Sequence, residues 1–202
     1  LDGTLTHQTP SFFEIFFKFV DENTPGKCLD EEAKRNARRW VHRYWARSPE
    51  AKEDLEAHGE FTDKFWKHYI AKKLMVMGCS PEESRELSRR ITPGIFESYQ
   101  PEAAIPDDVF PTLEWIRKRG YGLGLVSNRS SCFQDEISEL GLAEYFDFAF
   151  TAGSVQSWKP DPEIFQHALQ HARCEAEQAV YVGDNYYADI LGAQGAGLHA
   201  IL

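Results

Sequence analysis

The sequence predicts an α/β protein in which a parallel-sheet core is interrupted by an α-helical bundle. Two patterns point there. From about residue 109 to the end, short apolar runs that finish in polar residues alternate with amphipathic segments, the rhythm of strands joined by helical crossovers. From about residue 11 to residue 92, apolar residues recur only at helical spacing. The core is therefore expected to take residues 1–10 and 93–202, and the helical insertion residues 11–92.

Within the insertion, Ser11 stands where an N-cap belongs before "SFFEIFFKFVDE". Glu14 and Lys18 break that apolar run, so it reads as a core helix and falls short of the ~18 apolar residues a bilayer span needs. A second helix starts at Asp30 and stops at Pro49, and a third, "GEFTDKFWKHYIAKKLMVMG", ends at Gly78. The fourth opens with Ser80, Pro81 and Glu83, a capping box with proline at the first helical position. Pro and Gly in "THQTP" and "ITPGIFESYQP" mark the expected hinges. Beyond them, "VFPTLEWIRKRG", "CFQDEISELG", "PDPEIFQHALQHA" and "YYADILGAQGAG" read as helices, and "YGLGLVSN", "YFDFAFT", "AVYVGD" and "HAIL" as strands.

The chain has 202 residues and a formal net charge of -10, which repels a polyphosphate backbone, so nucleic acid is not expected as a partner. No membrane partner is expected either. Cys28, Cys79, Cys132 and Cys174 show no paired spacing; free thiols in a reducing, cytoplasmic compartment are the expectation.

In open parallel sheets, ligands bind beyond the carboxyl ends of the strands. The polar residues expected at those ends are Asp2 in "LDGT", Ser127 and Asn128 in "VSN", Lys159 in "SWKPD", and Asp184 and Asp189 in "VGDNYYAD". Singly, each has a structural reading as a turn former, cap or solvated charge. Together they suit phosphoryl transfer: carboxylates hold a hard cation such as Mg²⁺, while a hydroxyl, backbone N–H groups and a lysine neutralise phosphoryl oxygens. The set lacks a nucleophile.

"LDGTL", "LGLVSN", "WKPDPEIF" and "VYVGDNYYADILGAQGAG", in this order, resemble the four motifs of the haloacid dehalogenase-like hydrolases, in the subgroup with a helical cap between the first and second motifs. The resemblance implies a Rossmann-like core and a Mg²⁺-dependent reaction through an aspartyl-phosphate. It makes Asp2 the general acid and base and, through its carbonyl, a metal ligand. Gly3, Thr4, Ser127 and Asn128 would bind phosphate, and Lys159 would clamp the phosphoryl group. Asp184 would ligate Mg²⁺, and Asp189 would support a metal-bound water or orient Lys159. The family's first motif carries its nucleophilic aspartate one residue before Leu1, so the chain is expected to be cut just after it.

The second aspartate of that motif, Asp2, favours phosphatase or phosphomutase chemistry over dehalogenation. A phosphonate-cleaving member would need a cap lysine, and Lys18, Lys27, Lys34, Lys52, Lys64, Lys67, Lys72 and Lys73 leave that open, as a non-catalytic binding domain also stays open. The expected substrate is a small phosphorylated metabolite. In "RNARRWVHRYWARSP", Arg35, Arg39 and Arg43 share one helical face. That face reads first as a solvated surface, with Arg39 and Arg43 as candidate contacts to an anionic substrate; Phe65, Trp66 and Tyr69 read as core.

Overall fold

A computed structural model describes residues 1–24 and 30–202. Cys28 and Lys27 lie outside the described residues. The chain divides into two compact units, one of Leu1–His7 with Ala103–Leu202 and one of Gln8–Glu102. The short strands β1 (His7–Thr9) and β2 (Glu102–Ala104) lie at the two crossings, with α1 (Phe12–Asn23), α2 (Glu31–Trp45), α3 (Pro49–His58), α4 (Asp63–Val76) and α5 (Pro81–Ser98) between them. The α/β unit, Leu1–His7 with Ala103–Leu202, continues with α6 (Val109–Lys118), β3 (Gly124–Ser127), α7 (Gln134–Glu139), β4 (Phe148–Thr151), α8 (Ala152–Val155), α9 (Pro162–Ala172), β5 (Val180–Val182), α10 (Leu191–Gly195) and β6 (His199–Ile201).

The helical unit has one helix more than expected and a later seam. Pro49 does not stop α2 so much as start α3: Ser48 Oγ accepts from Ala51 N at 3.1 Å, and proline fits the first helical turn, where no intrahelical N–H bond is needed. Pro93 does not end α5 either. The helix runs on to Ser98 because Ile91 and Ile95 are buried on the same side of it, and that burial outweighs the one backbone bond proline removes. Pro93 and Gly94 thus do not interrupt the helix, and the helical unit runs from Gln8 to Glu102 rather than over residues 11–92. Its core joins Phe16 and Val20 of α1, Ala37 and Tyr44 of α2, Phe65, Ile70 and Leu74 of α4, and Ile91 and Ile95 of α5. Phe65 and Tyr69 are buried, and Trp66 packs partly buried against them.

In the α/β unit, β3 pairs in parallel with β4, and β5 with β6. Alternation along β3 sends neighbouring side chains to opposite faces. Leu125 accordingly packs with Val109, Leu113, Phe133 and Ile137 from α6 and α7, while Val126 packs with Phe150, Ile164, Phe165 and Ala193 from β4, α9 and α10. The β3–β4 pair is thus covered on both faces, which directs polar groups to the strand ends.

Candidate active site

Four loops of the α/β unit bring the candidate residues together. After Leu1 the backbone turns sharply: Gly3 N donates to Thr6 O at 2.8 Å and Leu5 N to Leu1 O at 2.9 Å. Gly3 has φ +79°, and a Cβ there would lie 2.5 Å from Cγ of Asp184. Glycine is required on both counts, and it lets the Asp184 carboxylate rest against the turn. Thr4 Oγ1 donates to Asp184 Oδ1 at 3.4 Å. Gly3, Thr4 and Asp184 are thereby one cluster, with Asp2 next to it in the chain.

Ser127 is the last residue of β3 and is buried, its Oγ accepting from Arg129 N at 3.4 Å. Asn128 joins this loop to the next: its Nδ2 donates to Lys159 O at 2.9 Å, and its Oδ1 accepts from Lys159 N at 2.7 Å. The amide that the sequence offers to phosphate is engaged with backbone here, and what it does is fix where Lys159 begins.

Lys159 is buried, and its Nζ donates to Asp189 Oδ1 at 2.6 Å. Burial disfavours the ammonium, but Tyr181 and Asp189 outweigh it and hold the lysine above its ordinary pKa. The other oxygen of Asp189 accepts from Asn185 N at 2.9 Å. A Cβ on Gly183 would fall 2.4 Å from Cγ of Asp189, so this approach is open only to glycine. Of the two roles the sequence left to Asp189, the contacts are those of orienting Lys159.

Sequence reasoning missed Arg129. Its guanidinium donates Nε to Asp2 Oδ2 at 2.9 Å and Nη2 to Asp2 Oδ1, and it also grips Glu136 through Nη1 and, at 3.1 Å, Nη2. A two-pronged guanidinium–carboxylate contact of this kind is among the stronger charge-assisted pairs. Burial acts to raise the Asp2 carboxyl, yet the Arg129 hydrogen bonds and charge win and hold it below the usual aspartate value. Its stabilising contribution is present above the unfolded-state pKa and is lost as pH falls through the folded one. Arg129→Gln is expected to move the Asp2 titration to higher pH; carbon-detected NMR of the carboxyl reads the shift, and an unmoved titration contradicts the assignment.

Arg39 and Arg43 belong to the helical unit, where both are exposed. Arg43 lies 3.6 Å from Glu50, and Trp40 and Tyr44 of the same helix are buried.

A buried lysine, a buried hydroxyl and two exposed carboxylates, with Ser127 at the end of β3 and Asp184 just beyond β5, make up the candidate site of this α/β unit. A family model of haloacid dehalogenase-like hydrolases matches residues 1–197, and the chain belongs to that family. It is 46% identical over 91 residues to haloacid dehalogenase-like hydrolase domain-containing protein 3 of Mus musculus, covering 45% of this chain and 36% of that protein. It is 32% identical over 149 residues to a phosphoserine phosphatase of Thermus thermophilus, covering 73% of this chain and 57% of that protein. The chain thus spans well under two thirds of the length of these relatives. The crystal structure of a HAD phosphatase from Thermococcus onnurineus superposes with a TM-score of 0.51 at 26% identity, covering 98% of this chain and 82% of that one.

Proposed function

We propose that the site belongs to a Mg²⁺-dependent phosphatase that hydrolyses a small phosphorylated metabolite. The observation that carries this reading is the Lys159 ammonium, held by Asp189, in one unit with the Asp184 carboxylate that rests on the Gly3–Thr4 turn. The similarity to a phosphoserine phosphatase supports a phosphate monoester as substrate.

The residues fit a hard divalent cation. Asp2 and Asp184 offer oxygen donors only, both are exposed, and the glycine turn leaves the Asp184 carboxylate a cradle that a Cβ would fill. Mg²⁺ favours such sites because it keeps several waters beside one or two carboxylates. When bound, it supplies positive charge beside the phosphoryl oxygens. Lys159 supplies fixed charge from the other side, already desolvated, and the Ser127 hydroxyl adds a donor at the end of β3. Asp2 would be the acid towards the leaving oxygen and the base towards water once its carboxyl is released from Arg129, which in this structure holds both its oxygens and lowers its pKa. The attacking carboxylate of the family's first motif would stand immediately before Leu1, outside this chain. The helical unit would act as the cap, with Arg39 and Arg43 as candidate contacts to an anionic substrate. The free thiols of Cys132 and Cys174 fit a reducing, cytoplasmic setting, and no described helix is long and apolar enough to cross a membrane.

The test is phosphate release from a panel of small phosphate esters, by a protein carrying this chain behind that aspartate, with Mg²⁺ and with EDTA. Release is expected only with metal, and it should fall to background in Asp184→Ala. Release that survives both EDTA and Asp184→Ala overturns the reading. Conversion of an ester to its isomer without free phosphate also overturns it, in favour of a mutase.

A further inference from the structure

A second group of metal-type ligands lies in the helical unit and takes no part in the site above. On α3, Asp54 and His58 are four residues apart and so share a helical face; on α4, His68 and Lys72 do the same. The two faces meet. His68 Nε2 lies 3.0 Å from Asp54 Oδ1, the His58 and His68 ring centroids are 4.1 Å apart, and one ligand atom from each of Asp54, His58 and His68 falls within 4.8 Å of the others.

Two features argue that more than packing is built here. His58 Nδ1 is a buried nitrogen with no hydrogen-bond partner among the described residues, an arrangement that is unfavourable unless something fills it. The positive group now on Asp54 also has a second partner: Lys72 Nζ contacts the two Asp54 oxygens at 2.8 and 2.6 Å and stands 3.1 Å from Glu50 Oε1. Lys72 can therefore leave Asp54 without losing ionic contact.

We propose that Asp54, His58 and His68 form a site for a divalent transition-metal ion that takes imidazole and carboxylate ligands, with Zn²⁺ as the type. A tetrahedral Zn²⁺ with bonds of ~2.0–2.1 Å sets its ligand atoms about 3.3 Å apart, so small side-chain rotations close the present spacing. Two imidazoles and one carboxylate leave a fourth position for water. Binding needs neutral imidazoles. Tyr44 Oη donates to Asp54 Oδ2 at 3.0 Å and orients the carboxylate from behind. The ion would tie α3 to α4, both of which contribute to one helical core.

The experiment titrates the whole chain with Zn²⁺, and with Co²⁺ as a spectroscopic probe, in excess Mg²⁺ so that hard-cation sites are saturated. One equivalent is expected to bind, with a tetrahedral Co²⁺ absorption and a rise in melting temperature. Both His58→Gln and His68→Gln should weaken binding at least about tenfold. Each imidazole is partly exposed, so the variants should keep native circular dichroism. Lys72→Met, which removes the competing ammonium from Asp54, should tighten binding, an effect that adventitious surface coordination would not show. Binding unchanged in the double His58→Gln/His68→Gln variant overturns the proposal, as does the absence of any bound equivalent in the unmodified chain.

Discussion

Asp189→Ala is expected to lower the stability of the α/β unit by about 3–5 kcal/mol, the cost of removing one partner from a buried ion pair. The reason lies in what remains. Lys159 would keep a desolvated ammonium with its main anionic partner gone, and Asn185 N would lose its acceptor as well. The same cut removes the side chain that aims Lys159, so phosphate release should drop with it. A double variant separates the two effects. Replacing Lys159 and Asp189 together by Met and Leu removes both charges, and apolar replacement of a buried pair is often neutral or better for stability. The double variant should therefore recover most of the lost stability in urea unfolding while remaining inactive. Equal stability for Asp189→Ala and the unmodified chain would mean that the pair is not what holds these loops together. Recovery of activity in the double variant would remove Lys159 from the chemistry.

Much of this arrangement was legible before the structure, and the legible part has a common cause. Ser127, Lys159, Asp184 and Asp189 follow short apolar strands, and strand periodicity together with the rule that parallel sheets bind at their carboxyl ends was enough to collect them. Arg129 escaped because its meaning lies in Asp2, 127 positions away, and no local pattern reports such a pairing. Asn128 was found, but its task was not, because whether an amide faces a ligand or a backbone is settled by the neighbouring loop. In the helical unit, Pro49 and Pro93 were read as breaks. The first is tolerated by its place in the opening turn, and the second is overridden by packing that a window of sequence does not contain. Asp54 with His58, and His68 with Lys72, give a weak signal, two i,i+4 pairs, whose convergence depends on how α3 meets α4.

Lys73→Met is expected to stabilise the helical unit, and by an amount that depends on pH. In "AKKLMVM" the residue looks like half of a solvated lysine pair, but it falls in register with Ile70, Leu74 and Met77 on the buried side of α4. Its Nζ is fully enclosed and has no hydrogen-bond partner among the described residues. It lies 3.7 Å from the Phe16 ring centroid, 4.2 Å from Phe13 and 5.2 Å from Phe12. Ring faces attract a cation by up to about 2 kcal/mol, whereas withdrawing an ammonium from water costs several. Burial, reinforced by Arg38, therefore drives the Lys73 pKa well below the usual lysine value. The sign follows from the depressed value. Below it, folded and unfolded chains carry the same proton and the folded one bears the full penalty. Between it and the unfolded value of ~10.4, only the unfolded chain is protonated, so stability rises with pH at about 1.4 kcal/mol per unit. Methionine fills a similar volume, needs no partner and packs well against aromatic rings. The variant should gain about 1–3 kcal/mol near neutrality, roughly 2–4 °C in melting temperature per kcal/mol for a chain of this size. Urea unfolding of both proteins between pH 6 and 10, followed by tryptophan fluorescence, should show the gap narrowing as pH rises. A gap that stays constant, or a variant less stable at every pH, would mean that the four-phenylalanine nest of α1 is a favourable seat for the charge rather than a penalty the fold carries.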